Sequence, residues 1–276
     1  MRVKFKLAIC QICVTDDKSK NIEKAIDMLA EATNNGADVA ALPEMFNCPY
    51  DSGKFKDYGE DEKSGETVRT VSEAAKSLGI YVVAGSIPEY CDEKLYNTCF
   101  VFGRTGEIIA RHRKVHLFDV NVPGKISFME SETLAAGNNI TIADTDFCRI
   151  GIAICYDMRF PELIRLMALK GAVIIIVPAA FNMVTGPAHW EILVRSRAVD
   201  NQVYMAAAAP ARNEAASYIS YGHSMIAAPW GNIVSAADEK EQIIYGLIDT
   251  DEVEQVRSSL PILRHRREDV YKLEEI

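Results

Sequence analysis

Apolar runs and helical periodicities alternate along the first half of the chain. Residues 5–14 form an apolar run typical of a buried strand. The apolar positions that follow recur at helical spacing: Ile22, Ala25, Ile26, Leu29 and Ala32. Gly36 is a suitable helix stop, and apolar strands are predicted at 37–42 and 80–87, on either side of a second helix at 68–78. The pattern predicts a strand–helix–strand order.

A tight turn is predicted in the middle of the chain. Residues 95–102 and 108–115 have the composition of strands, and the four residues GRTG stand between them at 103–106. The two glycines suit a hairpin turn, which joins antiparallel strands. Since strands joined through helices usually pair in parallel, we predict a mixed sheet.

The second half of the chain repeats the alternation. Strands are predicted at 149–155, 172–177, 203–210, 223–228 and 242–248. Helices are predicted at 161–170, with Pro161 in the first turn, and at 189–202. A cap formed by Asp251 and Glu254 is predicted to begin a last helix, which a polar tail follows.

A short sequence pattern is repeated in the two halves of the chain. Gly36 precedes an apolar strand and then Pro43 and Phe46, and Gly171 precedes an apolar strand and then Pro178 and Phe181. Strands that are apolar on both faces need cover on both sides, which favours layers of sheet covered by helices. No linker-like segment divides the chain. We therefore predict an α/β fold in one domain over residues 1–276, with 261–276 as a C-terminal arm.

The composition of the chain limits which binding partners and which cellular compartment are expected. The 276 residues are 49% hydrophobic and carry a net charge of -9 without a long basic block, so no nucleic-acid partner is expected. The longest apolar run, 172–181, is too short to span a bilayer, so no membrane partner is expected, and the first six residues contain no signal-peptide core. Seven irregularly spaced cysteines indicate reduced thiols, and we predict a cytoplasmic protein.

Cys155 ends a predicted strand and precedes the helix that begins near Pro161. A thiol at that edge of a sheet is displayed to solvent or substrate, and free N–H groups of the turn offer a site for an oxyanion. A cysteine at a strand end is also commonly a small buried hydrophobic residue. Position alone leaves both interpretations open.

Three segments together resemble the nitrilase superfamily. The nucleophile segment is GIAICYDMRFPE at 151–162, the glutamate segment is ALPE at 41–44, and the lysine segment is RKVHL at 113–117. The resemblance extends over essentially the whole chain. It implies a four-layer α-β-β-α sandwich of two mixed sheets and a cysteine-dependent hydrolase of carbon–nitrogen bonds with Glu44, Lys114 and Cys155 as its triad.

The triad chemistry is consistent with the residue types. A nearby ammonium such as Lys114 favours a thiolate and attracts the negative charge of a developing oxyanion, to which the Tyr156 N–H is the second donor. Glu44 is suited to accept the thiol proton and pass it to departing ammonia. The resemblance further implies a second glutamate, Glu130, although it lies in a segment, 125–139, that is predicted to be a polar loop, where Glu132 is the competing candidate.

Three further segments resemble the omega-amidase branch: VPGKI at 122–126, TGPAHWE at 185–191 and RSRAVDNQ at 195–202. That branch implies a small-molecule substrate, a short amide with a 2-oxo acid group. Arg159 is expected to bind the substrate carboxylate, unless it pairs with Glu162 instead. Phe181, Thr185 and Tyr50 are expected to line the same pocket.

Other interpretations of the motifs are weaker. Cys10 and Cys13 have redox or zinc spacing but lie in a predicted strand, and His112 and His116 lack the glutamate of a zinc protease, so no metal is predicted. No phosphate-binding or dinucleotide fingerprint is present, so no cofactor is predicted.

Two competing functions stay open: a Cys–His hydrolase that uses His189 or His223, and a silent scaffold on the same fold. The family resemblance implies a homodimer or higher homo-oligomer that forms through helices flanking the nucleophile.

Overall fold

The computed structural model describes residues 3–124 and 126–276. Lys125, within one of the omega-amidase-like segments, therefore lies outside the described residues, as do Met1 and Arg2. The helices in the described residues are α1 Lys18–Asn34, α2 Phe55–Tyr58, α3 Glu66–Leu78, α4 Pro161–Leu169, α5 Gly186–Asn201 and α6 Thr250–Ser259. The strands are β1 Lys4–Gln11, β2 Val39–Ala41, β3 Glu60–Asp61, β4 Tyr81–Cys91, β5 Lys94–Phe102, β6 Ile108–Arg113, β7 Asp119–Val122, β8 Ile126–Met129, β9 Thr141–Asp144, β10 Arg149–Ile152, β11 Ala172–Pro178, β12 Tyr204–Ala208, β13 Met225–Ala227, β14 Ile233–Ala236 and β15 Gln242–Asp249. Two 3-10 turns cover Glu130–Glu132 and Cys155–Arg159.

Two mixed sheets form the centre of the fold. The first has the order β15-β1-β2-β4-β5-β6, with β3 beside β4, and the second has the order β14-β13-β12-β11-β10-β9. In each sheet three consecutive strands run parallel, β1-β2-β4 and β10-β11-β12, and antiparallel strands flank them. The two sheets therefore share one topology. The sequence pattern that is repeated in the two halves of the chain falls on the middle strand of each parallel set, β2 and β11.

Alternation along β1 shows how the layers pack. Leu7 and Ile9 point into a core between the two sheets, whereas Ala8 and Cys10 point into a core beneath α1 and α3. The inter-sheet core continues through the second sheet to buried residues of α4 and α5, including Trp190. Each sheet is therefore covered by helices on its outer face, and the predicted four-layer α-β-β-α sandwich in one domain is confirmed.

The structure corrects several of the predicted elements. The segment predicted as a polar loop at 125–139 includes β8, which pairs with β7 in a separate two-stranded sheet. Strands β3, β7, β9 and β14 and the short helix α2 were not predicted. Helix α5 begins at Gly186 rather than at residue 189. Pro187 is suited to its first turn, because proline has no backbone N–H that would need an acceptor there. The cap of α6 is Asp249, whose side chain accepts from the Asp251 N–H.

The C-terminal segment, 261–276, follows α6 and contains turns but no strand or helix. Glu275 accepts from the Ile140 N–H at 3.4 Å and pairs with Lys170 just beyond α4. In the described part of the chain, no helix combines the length and apolarity needed to cross a membrane.

Candidate active site

The residues of the three matched motifs converge because each follows the end of a strand. Glu44 comes three residues after β2, Lys114 directly after β6 and Cys155 three residues after β10. The chain before Glu44 crosses β4 where Gly85 has a φ of +34°, and a Cβ at Gly85 would lie 2.1 Å from the Pro43 carbonyl oxygen. A residue without a side chain is required there.

Lys114 is the centre of a buried ionic cluster. Its Nζ lies 2.9 Å from Glu44 Oε1 and 2.8 Å from Glu130 Oε1, and all three side chains are 0% exposed. Glu132, the competing candidate, is exposed. Glu130 is held from the other side, since its Oε2 accepts from the Phe118 N–H at 2.7 Å. The cluster therefore contains the first of the two candidate glutamates.

Glu44 has one satisfied and one free carboxylate oxygen. Besides Lys114, its Oε1 accepts from Asn97 Nδ2 at 2.8 Å. Its Oε2 is buried and has no hydrogen-bond partner among the described residues. Tyr50 lies beside the cluster and donates its hydroxyl to Glu130 Oε1 at 2.6 Å. A buried carboxylate oxygen without a partner is suited to take part in proton transfer.

Cys155 occupies a strained turn. Its φ is +46°, in the left-handed region that residues with a side chain rarely adopt. Cys155 and Tyr156 begin a 3-10 turn, whose first N–H groups have no acceptor within the turn itself. The side chain of Cys155 is almost fully buried, and the Ala180 N–H interacts with it. The turn can thus present a sulfur and backbone donors to the same small space.

The cluster sets the protonation of the site. Burial raises the pKa of the Cys155 thiol well above its ordinary value, the charge of Glu44 adds to this, and Lys114 opposes it. Burial also raises the pKa of Glu44, against the lowering effect of Lys114. For Lys114, burial alone would lower the pKa, but the charges of Glu130 and Glu44 raise it well above its ordinary value. The resting site holds a neutral thiol beside a permanent ammonium.

A second buried network joins the lysine segment to the nucleophile segment. The Asp157 carboxylate accepts from His112 Nε2 at 3.1 Å and from His116 Nδ1 at 2.8 Å, and its Oδ2 also accepts from the Ile154 N–H at 3.0 Å. His112 and His116 lie on either side of Lys114 in sequence. Asp157 therefore ties the strand end that carries Lys114 to the turn that carries Cys155.

Arg159 is partly buried next to aromatic rings. Its guanidinium carbon lies 4.7 Å from the centre of the Phe181 ring and 5.8 Å from that of Tyr156, and its Nη1 lies 3.2 Å from His189 Nδ1. The alternative ion pair with Glu162 is not formed, and in the described part of the chain no carboxylate lies within salt-bridge distance of Arg159. Burial lowers the pKa of Arg159, and the neighbouring Cys155 opposes that shift, which indicates that the guanidinium lies near the thiol.

Two clefts of about 450 and 440 Å³ flank the cluster. Tyr50 and Tyr218 line both, and their rings lie 4.6 Å apart between centres. Glu44 lines the first cleft, and Asn182 lines the second. Of the pocket residues predicted by resemblance, only Tyr50 lines these two clefts. Phe181 instead contacts Arg159, and Thr185 donates its hydroxyl to Asn182 at 3.3 Å.

Neither alternative histidine takes the position of a base. His223 Nδ1 lies 2.9 Å from the Tyr221 carbonyl, and the His189 ring contacts Arg159. Among the described residues no histidine is hydrogen-bonded to Cys155, whereas Glu44 and Lys114 both act on its thiol. The Cys–His hypothesis therefore has no geometric support. The part of the chain that the structure covers also contains no cluster of three or more His, Cys, Asp or Glu side chains placed for a metal.

Four residues near the site were not identified from the sequence. Asn97 lies inside an apolar strand, and Asp157 stands in the nucleophile motif while its two histidine partners are distant in sequence. Tyr218 lies in an irregular segment and donates its hydroxyl to the Ala180 carbonyl at 2.5 Å. Asn182 directly follows Phe181, which was identified. Asp157 and Asn182 each stand next to a residue that the sequence had indicated, Tyr156 and Phe181. Asn97 and Tyr218 have no such signal.

Known proteins show similarity along the whole chain. The carbon-nitrogen hydrolase family model matches residues 6–258. The omega-amidase NIT2 of Danio rerio is 50% identical over 273 residues, covering 99% of this chain and 98% of that protein. Nitrilase homolog 2 of Dictyostelium discoideum is 51% identical over 274 residues, covering 99% and 83%. The crystal structure of Saccharomyces cerevisiae Nit3, a member of branch 10 of the nitrilase superfamily, has a TM-score of 0.89 at 42% identity and covers 96% of this chain and 97% of Nit3. The chain therefore belongs to the carbon-nitrogen hydrolase family, within the nitrilase superfamily.

Proposed function

We propose that this protein is an omega-amidase. It hydrolyses the terminal amide of short 2-oxo dicarboxylic acid monoamides, such as 2-oxoglutaramate and 2-oxosuccinamate, to the dicarboxylate and ammonia. The observation that carries the proposal is the fully buried contact of Lys114 with Glu44 and Glu130 beside Cys155, with one Glu44 oxygen free. The names of the omega-amidase relatives support the substrate class.

The first half of the reaction forms a thioester. Glu44 accepts the proton of the Cys155 thiol as the sulfur attacks the amide carbon. Lys114 and the Tyr156 N–H stabilise the oxyanion of the tetrahedral intermediate. Protonated Glu44 then returns the proton to the amide nitrogen, the carbon–nitrogen bond breaks, and ammonia leaves. The raised pKa of the thiol supports this order, because an uncharged sulfur needs a base at the moment of attack.

The second half releases the acid. Glu44, now ionised, takes a proton from water, and the resulting hydroxide attacks the thioester carbon. Collapse of the second tetrahedral intermediate breaks the carbon–sulfur bond, and the thiolate recovers its proton from Glu44. Glu130 keeps Lys114 in position throughout, since its carboxylate lies 2.8 Å from the ammonium and is itself held by the Phe118 N–H. No group beyond these side chains and water is needed to balance the reaction.

The substrate carboxylate is assigned to Arg159. A guanidinium without a carboxylate partner, partly buried against Phe181 and near the thiol, is suited to bind an anionic substrate group. Phe181 and Tyr50 then supply apolar walls for the short carbon chain. Amides that lack a carboxylate within reach of Arg159 cannot form this ion pair.

The test is ammonia release by the purified protein from 2-oxoglutaramate, compared with glutamine, a nitrile and an N-carbamoyl amino acid. We expect turnover of the 2-oxo amide to dominate and to disappear in Cys155→Ala. Turnover of only another amide, or of the carbamoyl compound, would retain the triad and refute the omega-amidase assignment. Inertness toward every compound would favour the scaffold hypothesis.

Arg159→Lys separates the pocket from the triad. We expect a rise in KM for 2-oxoglutaramate with a smaller change in kcat, since lysine cannot form the bidentate contact. Arg165→Lys is the matched control, because Arg165 is also a partly buried arginine and lies in α4, the helix that follows the turn with Arg159. An equal effect of the two substitutions would refute the assignment of Arg159.

We propose also that the protein is a homodimer. Ile192 and Val199 of α5 and the nearby Trp230 are 66%, 41% and 61% exposed, an apolar surface that supports self-association through a helix close to the nucleophile. Light scattering at micromolar concentration should give twice the chain mass, and a monomer mass would refute the proposal.

The cysteines are all free in the described residues, which supports a reducing compartment such as the cytoplasm.

A further inference from the structure

We propose that Asn182 is the residue that recognises the 2-oxo group of the substrate, through a hydrogen bond from its side-chain Nδ2. The inference rests on the proposed function and names the group that would separate 2-oxo amides from amides of the same length without the oxo group. Asn182 follows β11 by four residues and precedes α5 by four, and it is 6% exposed.

The orientation of the Asn182 amide is fixed by its neighbours. Its Oδ1 accepts from the backbone N–H groups of Val184 and Thr185, each at 2.9 Å, and from the Thr185 hydroxyl at 3.3 Å. A backbone N–H can only donate, so the atom that faces both must be the amide oxygen. The Nδ2 group is therefore directed away from this turn, and a flipped amide is excluded.

The Nδ2 group is buried without an acceptor. Among the described residues no oxygen or nitrogen accepts a hydrogen bond from it. A buried amide donor without a partner costs free energy in the free protein, which a ligand acceptor can recover. Asn182 lines the cleft of about 440 Å³ together with Tyr50, Phe128 and Tyr218. The residue that carries the unsatisfied donor therefore lines a cleft next to the ionic cluster.

Tyr218 locates that donor relative to the reacting groups. Burial raises the pKa of the Tyr218 phenol well above its ordinary value, the neighbouring Cys155 and Glu44 raise it further, and the Asn182 amide opposes the rise. The Asn182 amide is therefore close to the phenol, although no hydrogen bond of normal geometry joins them. Tyr218 also donates to the carbonyl of Ala180, the residue whose N–H interacts with Cys155.

The chemistry of the substrate assigns the partner of Nδ2. The substrate carboxylate has Arg159, and the amide oxygen has Lys114 and the Tyr156 N–H. The 2-oxo oxygen is the acceptor that these groups leave without a donor, and a neutral amide suits a neutral carbonyl oxygen because neither carries a charge that must be desolvated. Thr185, which resemblance placed in the pocket, then acts by holding the Asn182 oxygen.

The test compares 2-oxoglutaramate with glutaramate, the monoamide of glutaric acid, which has the same length and carboxylate but no oxo group. The variants are Asn182→Asp, which keeps an acceptor for the two backbone N–H groups, and Asn182→Ser, a neutral residue that also caps. We expect the ratio of kcat/KM between the two substrates to fall about tenfold in both variants. Urea unfolding midpoints near that of the wild type show that the turn is intact.

The ratio removes effects that the two substrates share. In Asn182→Asp, the introduced carboxylate also repels the substrate carboxylate. This repulsion lowers kcat/KM for both amides equally, so by itself it does not change their ratio. An unchanged ratio in Asn182→Ser and Asn182→Asp would therefore overturn the inference, even where absolute rates fall. Failure of the wild-type protein to hydrolyse 2-oxoglutaramate would overturn the proposed function and this inference with it, whereas normal wild-type turnover with unchanged ratios overturns the inference alone.

Discussion

Asp157 and His116 are joined twice, since Asp157 Oδ1 accepts from the His116 backbone N–H at 2.9 Å and from its Nδ1 at 2.8 Å. The His116 ring also stacks on Phe160, with ring centres 3.6 Å apart. The segment that carries Lys114 is therefore fixed to the turn that carries Cys155 by contacts that involve neither of these two proposed catalytic side chains. Precise separation of a nucleophile and its oxyanion donor requires support of this kind.

Asp157→Asn should weaken both the fold and the reaction. The amide of asparagine presents N–H donors where the carboxylate accepts from His112, His116 and the Ile154 N–H. We expect a loss of about 3 kcal/mol in the free energy of unfolding, measured in urea, and at least a tenfold lower kcat/KM. Asp144→Asn is the control, because Asp144 pairs with Arg149 at an exposed position and should change little.

The same substitution has a defined pH dependence. Burial alone would raise the pKa of Asp157, but the hydrogen bonds from His112 and His116 hold it well below its usual range. A carboxylate with a lowered pKa in the folded state stabilises the fold above its unfolded pKa of 3.8, and this contribution disappears as pH falls through the folded value. The difference in stability between wild type and Asp157→Asn should therefore be full at pH 6 and shrink below pH 4.

Gly85→Ala should damage activity by displacing Glu44. A Cβ at Gly85 would lie 2.1 Å from the Pro43 carbonyl oxygen, so the chain before Glu44 must move. A shift of about 1 Å in a catalytic group costs on the order of a hundredfold in rate, and we expect that loss in kcat/KM. Gly79→Ala is the control: Gly79 also has a positive φ, at the end of α3, but a Cβ there meets nothing within 4 Å. It should cost about 1 kcal/mol of stability and leave kcat/KM unchanged. Equal activity losses would contradict the role given to Gly85.

The layers of the fold were predictable because burial leaves a local pattern in the sequence. Residues 5–11 are apolar on both faces, since Leu7 and Ala8 enter different cores, and Gly36 and Gly171 mark the turns before β2 and β11. The hairpin of β7 and β8 left no such pattern. It pairs only with itself, and Asp119 and Asn121 alternate with its less polar positions.

The site was predictable only in part, because its contacts join distant residues. Glu44, Lys114 and Cys155 stand in motifs at strand ends, where topology brings them together. Asn97 is 53 residues from Glu44, and the histidine partners of Asp157 are 41 and 45 residues away, so no local spacing indicates these side-chain contacts. The choice of Glu130 over Glu132 depends on the direction of a short 3-10 turn, which the sequence does not determine.

Lys114→Met and a compensated double variant separate the structural and catalytic roles of the lysine. Lys114→Met leaves Glu44 and Glu130 buried without their cation, so we expect the free energy of unfolding to fall by about 3–5 kcal/mol at neutral pH and hydrolysis to stop. Lys114→Met with Glu130→Gln removes one of the two charges and should recover part of that stability but none of the activity. Recovery of hydrolysis in the double variant would show that Lys114 only neutralises Glu130.

The acid limb of the pH–rate profile should report Glu44. The mechanism needs the Glu44 carboxylate ionised, and burial raises its pKa above the ordinary value of 4.5, with Lys114 reducing the rise. As pH falls, Glu44 therefore takes up a proton at a higher pH than an exposed glutamate does, and kcat/KM should reach half its maximum above pH 4.5. Lys114 keeps its proton far into the alkaline range, because the charges of Glu130 and Glu44 outweigh the lowering effect of burial on its pKa, so it imposes no limb near neutrality. Glu44→Gln should lower kcat/KM by about a hundredfold or more and remove the acid limb from the residual activity. A limb that persists unchanged in Glu44→Gln would mean that another group accepts the thiol proton.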